Sequence, residues 1–161
     1  PKTPKPHQID PIIMEPSYRN IKETYKIECT IGRGSFATVK RAKHRETGER
    51  VAIKVFSKKK LTEDDKFSLR SEMEVLKFID HPNIVRLIDA FEDERHVCFV
   101  MELMNGGELF DKILTLDSFV EEDARSCMKC LIDSIRYLHS MGIVHRDIKP
   151  ENLLIPSASP D

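Results

Sequence analysis

The chain has 161 residues and a mass of 18.6 kDa, with 26 Lys+Arg against 27 Asp+Glu, a net charge of -1, and 40% hydrophobic residues. That apolar content supports a folded core of about one domain and excludes compositional disorder. The balanced charge gives no footing to a nucleic-acid or anionic-membrane binder, and the longest apolar run, Val97 to Met101, is far too short to span a bilayer.

Residues 1 to 24 read as a tail. Pro1, Pro4, Pro6, Pro11 and Pro16 punctuate its first part, which has few apolar residues beyond the Ile12-Ile13-Met14 cluster. No basic end followed by an apolar stretch marks a secretory signal. Position 1 is Pro, so the expectation is either processing or a piece of a longer chain. The four cysteines, at 29, 98, 127 and 130, lie in apolar periodic segments and are expected to be reduced core thiols of an intracellular protein. Cys127 and Cys130 have CxxC spacing, but no second pair or neighbouring histidines complete a zinc site.

From Tyr25 the pattern turns to strands. Tyr25 to Ile31, Ala37 to Lys43 and Val51 to Val55 read as three strands joined by a glycine-containing turn and by Glu46-Thr47-Gly48. Leu69, Met73, Leu76 and Ile79 then form a one-sided helical stripe, stopped before Pro82. Ile84 to Phe91 and His96 to Leu103 read as two further strands. Asn105-Gly106-Gly107 breaks the pattern before a short helix from Glu108 to Leu114. A long helix follows from about Glu121 to Met141, with Ala124, Cys127, Met128, Leu131, Ile135 and Leu138 on its expected buried face and Gly142 as its stop. Strands fill one half and helices the other, which is an α+β layout with two unequal parts.

Gly32-Arg33-Gly34-Ser35-Phe36 lies between two strands, where glycines let a backbone approach phosphate oxygens. Taken alone, a plain hairpin turn explains it as well. Lys54 adds an ammonium on the third strand of the same sheet, able to hold phosphates if a carboxylate positions it. Glu72 on the helix can supply that carboxylate, whereas Glu74 faces elsewhere. A solvated surface run accounts for Lys58-Lys59-Lys60 better than nucleic-acid binding does.

The segment His145-Arg146-Asp147-Ile148-Lys149-Pro150-Glu151-Asn152 crowds five ionisable side chains and an amide between two short apolar pieces. Phosphoryl transfer needs a group that orients the attacking hydroxyl, cations against the γ-phosphate, and oxygen ligands for Mg²⁺. Asp147 fits the first need, Lys149 part of the second, and the Asn152 amide oxygen part of the third.

With these motifs in this order, the stretch from Tyr25 to Ile155 resembles the eukaryotic protein kinases. The resemblance implies a kinase-like fold: a small β-rich lobe with its hinge over residues 25 to 104, and the beginning of a helical lobe over 105 to 161. It implies that Ile31, Gly32, Gly34 and Val39 cover ATP, that Lys54 contacts its α/β-phosphates, and that Glu72 pairs with Lys54. Ala52 and Leu154 would sandwich the adenine, and Met101 would guard the back of its pocket. The backbone of Glu102 and Met104 would bond its edge, and Glu108 would approach the ribose. Asp147 is the expected catalytic base, Asn152 the expected Mg²⁺ ligand, and Arg146 the expected partner of a phosphorylated activation loop. His145 is expected to pack rather than shuttle protons.

Lys149 is similar to the serine/threonine kinases, so the implied substrate is a protein Ser or Thr hydroxyl. Gly106 to Asp111 together with His145 to Leu154 looks like the calcium/calmodulin-dependent kinase group, although nothing in this chain displays a calmodulin or calcium element. The implied location is intracellular, cytoplasmic with the nucleus left open. Two positions depart from the family pattern: Ala37 replaces a frequent third glycine, and Val120 replaces a capping Thr or Ser. The sequence given ends at Asp161 with no Asp-Phe-Gly. The expectation is therefore a piece that transfers phosphate very slowly by itself and leaves an apolar helix face exposed. A non-catalytic, kinase-like binding module or scaffold is the alternative.

Overall fold

The computed structural model describes residues 20–115 and 119–156. Most of the expected Pro-rich tail, including Ile12 to Met14, lies outside them. Residues 20–24, assigned to that tail by their sequence, form a helical turn, α1 (Ile21–Thr24). The Asn20 side chain caps it, and Ile21 packs against the core.

Five strands follow: β1 (Tyr25–Arg33), β2 (Ala37–His44), β3 (Arg50–Ser57), β4 (Leu87–Glu92) and β5 (His96–Glu102). They form one antiparallel sheet in the order β1-β2-β3-β5-β4. Alternation along β3 divides its residues between two faces. Val51 and Ile53 join Tyr25, Ala42, Phe91, Cys98 and Val100 in one buried cluster. Phe56 on the other face packs with Phe99, Ala90 and the helix residues Leu69 and Met73. Phe99, Ile53, Val51 and Val100 are fully buried, so the sheet carries the core of the chain.

Helix α2 (Glu63–Lys77) crosses between β3 and β4. Its start is well specified: the Asp65 amide donates to Thr62 Oγ1 (3.2 Å), and the Thr62 amide donates to Asp65 Oδ2 (2.9 Å). Three acids in the first turn complement the helix dipole. The helix ends at Lys77, so Ile79 of the predicted stripe falls in the following loop, where it is still buried. The strand predicted from Ile84 begins at Leu87, because a turn closed by the Ile84 amide on the His81 carbonyl holds the preceding residues.

The helical part comprises α3 (Leu109–Leu114) and α4 (Glu121–Ser140). Val120 gives α4 no side-chain cap. Its C-terminus closes through Gly142 at φ 74°, with the Gly142 and Ile143 amides donating to the carbonyls of His139 and Leu138. The buried face expected for α4 is only partly so. Met128 is 50% exposed, Ala124, Cys127, Leu131 and Ile135 are half-buried, and only Ser134 and Leu138 are buried. The expectation of four core thiols also needs correction. Cys98 is buried, with burial pushing its thiol up to about 11, while Cys127 is half-buried and Cys29 and Cys130 are exposed. Cys29 sits past a bulge of edge strand β1, and Cys130 lies on the outer side of α4.

Candidate active site

The strand register assembles the first part of the site. Val39 pairs with Lys54, and Ala52 pairs with Met101, so these four residues lie on the face of the sheet that also packs against α2. Lys54 Nζ lies 3.9 Å from Glu72 Oε1 and 5.1 Å from the centre of the Phe56 ring. The ion pair is loose and part-exposed, and such a pair is a positioning contact more than a source of stability. The helix stripe explains why Glu72 is there: with Leu69 and Met73 buried against the sheet, position 72 turns toward β3.

Gly32 pairs with Val39 at the end of β1, and the Gly34 amide donates to the Ala37 carbonyl (2.8 Å), closing a tight loop with Phe36 exposed at its tip. Neither glycine has positive φ. A Cβ on Gly32 would approach Val39 no closer than 3.6 Å, and one on Gly34 would lie 3.7 Å from the Ala37 carbonyl. The fold itself therefore tolerates a side chain at both positions. Ile31 sits in a bulge of β1, 47% exposed.

The second part of the site is the loop after α4. Arg146 adopts φ 64°, a conformation that costs an L-residue about 1 kcal/mol or more. The Asp147 amide donates to His145 Nδ1 (3.2 Å). Asn152 Nδ2 donates to both the Asp147 carbonyl (2.8 Å) and Asp147 Oδ2 (3.0 Å), and Lys149 Nζ lies 3.0 Å from the same carboxylate oxygen. The hydrogen bond from Lys149, followed by that from Asn152, holds the Asp147 carboxyl below its ordinary value. Because Asn152 donates through its nitrogen, its amide oxygen stays available to a cation. Among the described residues there is no cluster of three or more His, Cys, Asp or Glu side chains able to hold a metal.

A short ladder joins the two parts. Gly106 N–H donates to the Ile155 carbonyl (3.0 Å), Ile155 N–H to Gly107 (2.9 Å), and Leu109 N–H to Leu153 (2.8 Å), so Glu108 stands opposite Leu154. Here a glycine is obligatory: a Cβ at Gly106 would fall 2.6 Å from the Ile155 carbonyl oxygen. The ladder brings the segment after β5, with Met104 and Glu108, to the segment after the Asp147 loop. Its pairing spans some 50 residues and has no local sequence signal. Nor does the seam between α4 and the α2–β4 loop. There the Asp80 amide donates to the Tyr137 hydroxyl (3.0 Å), and Ser134 Oγ, whose shorter hydrogen bond goes to the Cys130 carbonyl within α4 (2.8 Å), lies 3.3 Å from the Asn83 carbonyl. A recess of about 230 Å³ between α2 and the β4–β5 hairpin, lined by Lys58, Leu69, Arg70, Met73 and Val97, lies apart from these residues.

The protein kinase domain family model matches residues 25–159. The chain belongs to the protein kinase family. Serine/threonine-protein kinase H1 of Homo sapiens is 46% identical over 130 residues, which cover 81% of this chain and 30% of that protein. Myosin light chain kinase A of Dictyostelium discoideum is 42% identical over 137 residues, 85% of this chain and 46% of the relative. Calcium/calmodulin-dependent protein kinase type 1 of Macrobrachium nipponense is 41% identical over 142 residues, 88% of this chain and 41% of the relative. Among solved structures, that of Rad53 1-466 in complex with AMP-PNP superposes with a TM-score of 0.76 at 39% identity, covering 86% of this chain and 36% of that one. The chain thus spans less than half the length of these relatives. The kinase resemblance to the serine/threonine class and the α+β fold expected from the sequence both stand.

Proposed function

We propose that this chain carries the nucleotide site and catalytic loop of a serine/threonine protein kinase that transfers the γ-phosphate of ATP to a Ser or Thr hydroxyl of a protein. The observation that carries the reading is the Asp147 cluster: an exposed carboxylate held ionised by Lys149 and Asn152 in a loop tied to the segment that follows β5. An ionised Asp147 accepts a hydrogen bond from the acceptor hydroxyl and orients its oxygen. Lys149 offsets negative charge on the transferred phosphoryl group, and Lys54, positioned by Glu72, does the same for the other phosphates. The tolerance of the fold for a side chain at Gly32 and Gly34 supports a ligand-facing role, since the space a Cβ would take is left for phosphate oxygens. Ala52, Val39 and Ile31 on the sheet side and Leu154 on the other would hold the adenine, with Met101 behind it. The backbone of Glu102 and Met104 would meet its edge, and Glu108 would meet the ribose.

Mg²⁺ fits the free amide oxygen of Asn152, a hard ligand suited to a hard cation, and would neutralise phosphate charge there. The described residues offer it little else. We therefore infer that the 161-residue polypeptide, assayed as such, binds nucleotide but turns it over very slowly. A similar relative's name includes calmodulin, and a calcium-linked input in the whole protein rests on that likeness alone.

Calorimetric titration with ATP and Mg²⁺ tests the reading. Micromolar to sub-millimolar binding that falls about tenfold in Lys54→Met is expected from loss of a charge-assisted phosphate contact. Absence of binding by the unaltered chain would refute it. Robust turnover abolished by Asp147→Asn would refute the inferred slowness but not the site.

A further inference from the structure

Glu102 ends β5 and lies one residue beyond the Ala52–Met101 pair, opposite Val51. Alternation turns its side chain to the face away from Ala52, Lys54 and Met101, so the carboxylate does not line the nucleotide side. It is nevertheless occupied. The Arg86 amide donates to Glu102 Oε1 at 2.7 Å, and the Glu102 amide donates to the Arg86 carbonyl at 3.1 Å. One residue therefore closes both backbone groups of Arg86.

Arg86 is the last residue before β4 and ends the loop that leaves α2. The beginning of that loop is fixed from the other side by Tyr137 and Ser134 of α4. The Glu102 carboxylate is thus a side-chain tie between the end of β5 and the residue that leads into β4, added to the backbone bond from the Glu102 amide to the Arg86 carbonyl. A carboxylate in a short charge-assisted bond to an amide holds direction better than a neutral contact does.

We propose that Glu102 is a positioning residue for nucleotide recognition: through Arg86 its carboxylate fixes the strand end whose backbone meets the adenine edge. This rests on the nucleotide reading above and adds a role for the side chain of a residue whose backbone alone was expected to act. The glycine loop and Lys54 lie on the opposite face, so the triphosphate part of the ligand is independent of the tie.

The test compares ATP with inorganic tripolyphosphate on the unaltered chain, Glu102→Ala and Glu102→Gln, together with hydrogen exchange of the Arg86 amide. Glu102→Ala is expected to weaken ATP about tenfold and leave tripolyphosphate within about twofold, because only the base contact is displaced. Glu102→Gln keeps an acceptor oxygen and is expected to restore most of the loss. Arg86 exchange is expected to speed up in Glu102→Ala without ligand, while Val100 stays protected. Should Glu102→Ala fail to fold, Glu102→Asp, whose shorter carboxylate cannot reach Arg86, takes its place with the same expected pattern. Unchanged Arg86 exchange, unchanged ATP affinity, or equal losses of ATP and tripolyphosphate would each overturn the role of Glu102. No ATP binding by the unaltered chain would instead overturn the nucleotide reading, and this role with it.

Discussion

The sheet and the long helix make opposite use of their apolar residues. In the sheet, Phe99, Ile53, Val51 and Val100 are fully buried between two clusters that close on themselves and on α2. In α4, 20 residues long, only Ser134 and Leu138 are buried, while Met128 and Ile132 are 50% and 56% exposed. The contrast shows where the fold is held. The sheet positions Lys54, Ala52 and Met101 through its own packing. The helix is attached mainly by its seam with the α2–β4 loop, and it delivers the Asp147 loop from a less tightly packed base.

The largest effect that would sharpen this contrast is Phe99→Ala, which opens a cavity where both strand pairing and α2 packing meet. A loss of about 3–5 kcal/mol in denaturant unfolding is expected, enough to unfold a marginal domain. A loss below about 1 kcal/mol would show that the sheet is not the stable unit.

Next are the two helix starts. Thr62→Ala removes the α2 capping box and is expected to cost about 1 kcal/mol, whereas Val120→Ser adds a cap that α4 lacks and is expected to gain about 0.5–1 kcal/mol. Equal and opposite shifts in the unfolding midpoint would support the contrast, and a loss from Val120→Ser would break it. Smaller still is Ile132→Gln, expected to stay within about 0.5 kcal/mol because that side chain already meets solvent. Thiol labelling gives a graded readout of the same difference: Cys29 and Cys130 should react first, and Cys98 only on unfolding, since burial raises its thiol to about 11.

The pH response of the loop has a definite sign. The Asp147 carboxyl is held below its ordinary value, so its ion pair with Lys149 is intact at neutral pH and is lost only as pH falls through that lowered value. The Asp147 carboxyl resonance should therefore titrate below the usual carboxylate range, and in Lys149→Ala it should move back up toward it. A titration at or above the ordinary value in the unaltered chain would contradict the geometry.

Much of this was legible in the sequence for identifiable reasons. Strand alternation and turn residues located all five strands, and the Leu69–Met73 stripe located α2. The residue order from His145 to Asn152 marked the loop by its chemistry. What stayed hidden depends on contacts between distant segments. A period assigns a helix face but not what the face meets, so it places Met128 inside and gives no sign that Ser134, whose hydroxyl approaches the Asn83 carbonyl, is buried. The need for glycine at 106 comes from Ile155, and the engagement of Glu102 comes from Arg86. Neither contact leaves a trace in local pattern.

The central claim is that the Lys54–Glu72 side of the sheet and the Asp147–Asn152 loop serve one nucleotide. Amide chemical-shift mapping during titration with ATP and Mg²⁺ tests it directly. The account predicts that Val39, Ala52 and Met101 shift together with Asp147 and Asn152 along a single binding isotherm. Shifts confined to one of the two groups, or two groups saturating at different ligand concentrations, would contradict it.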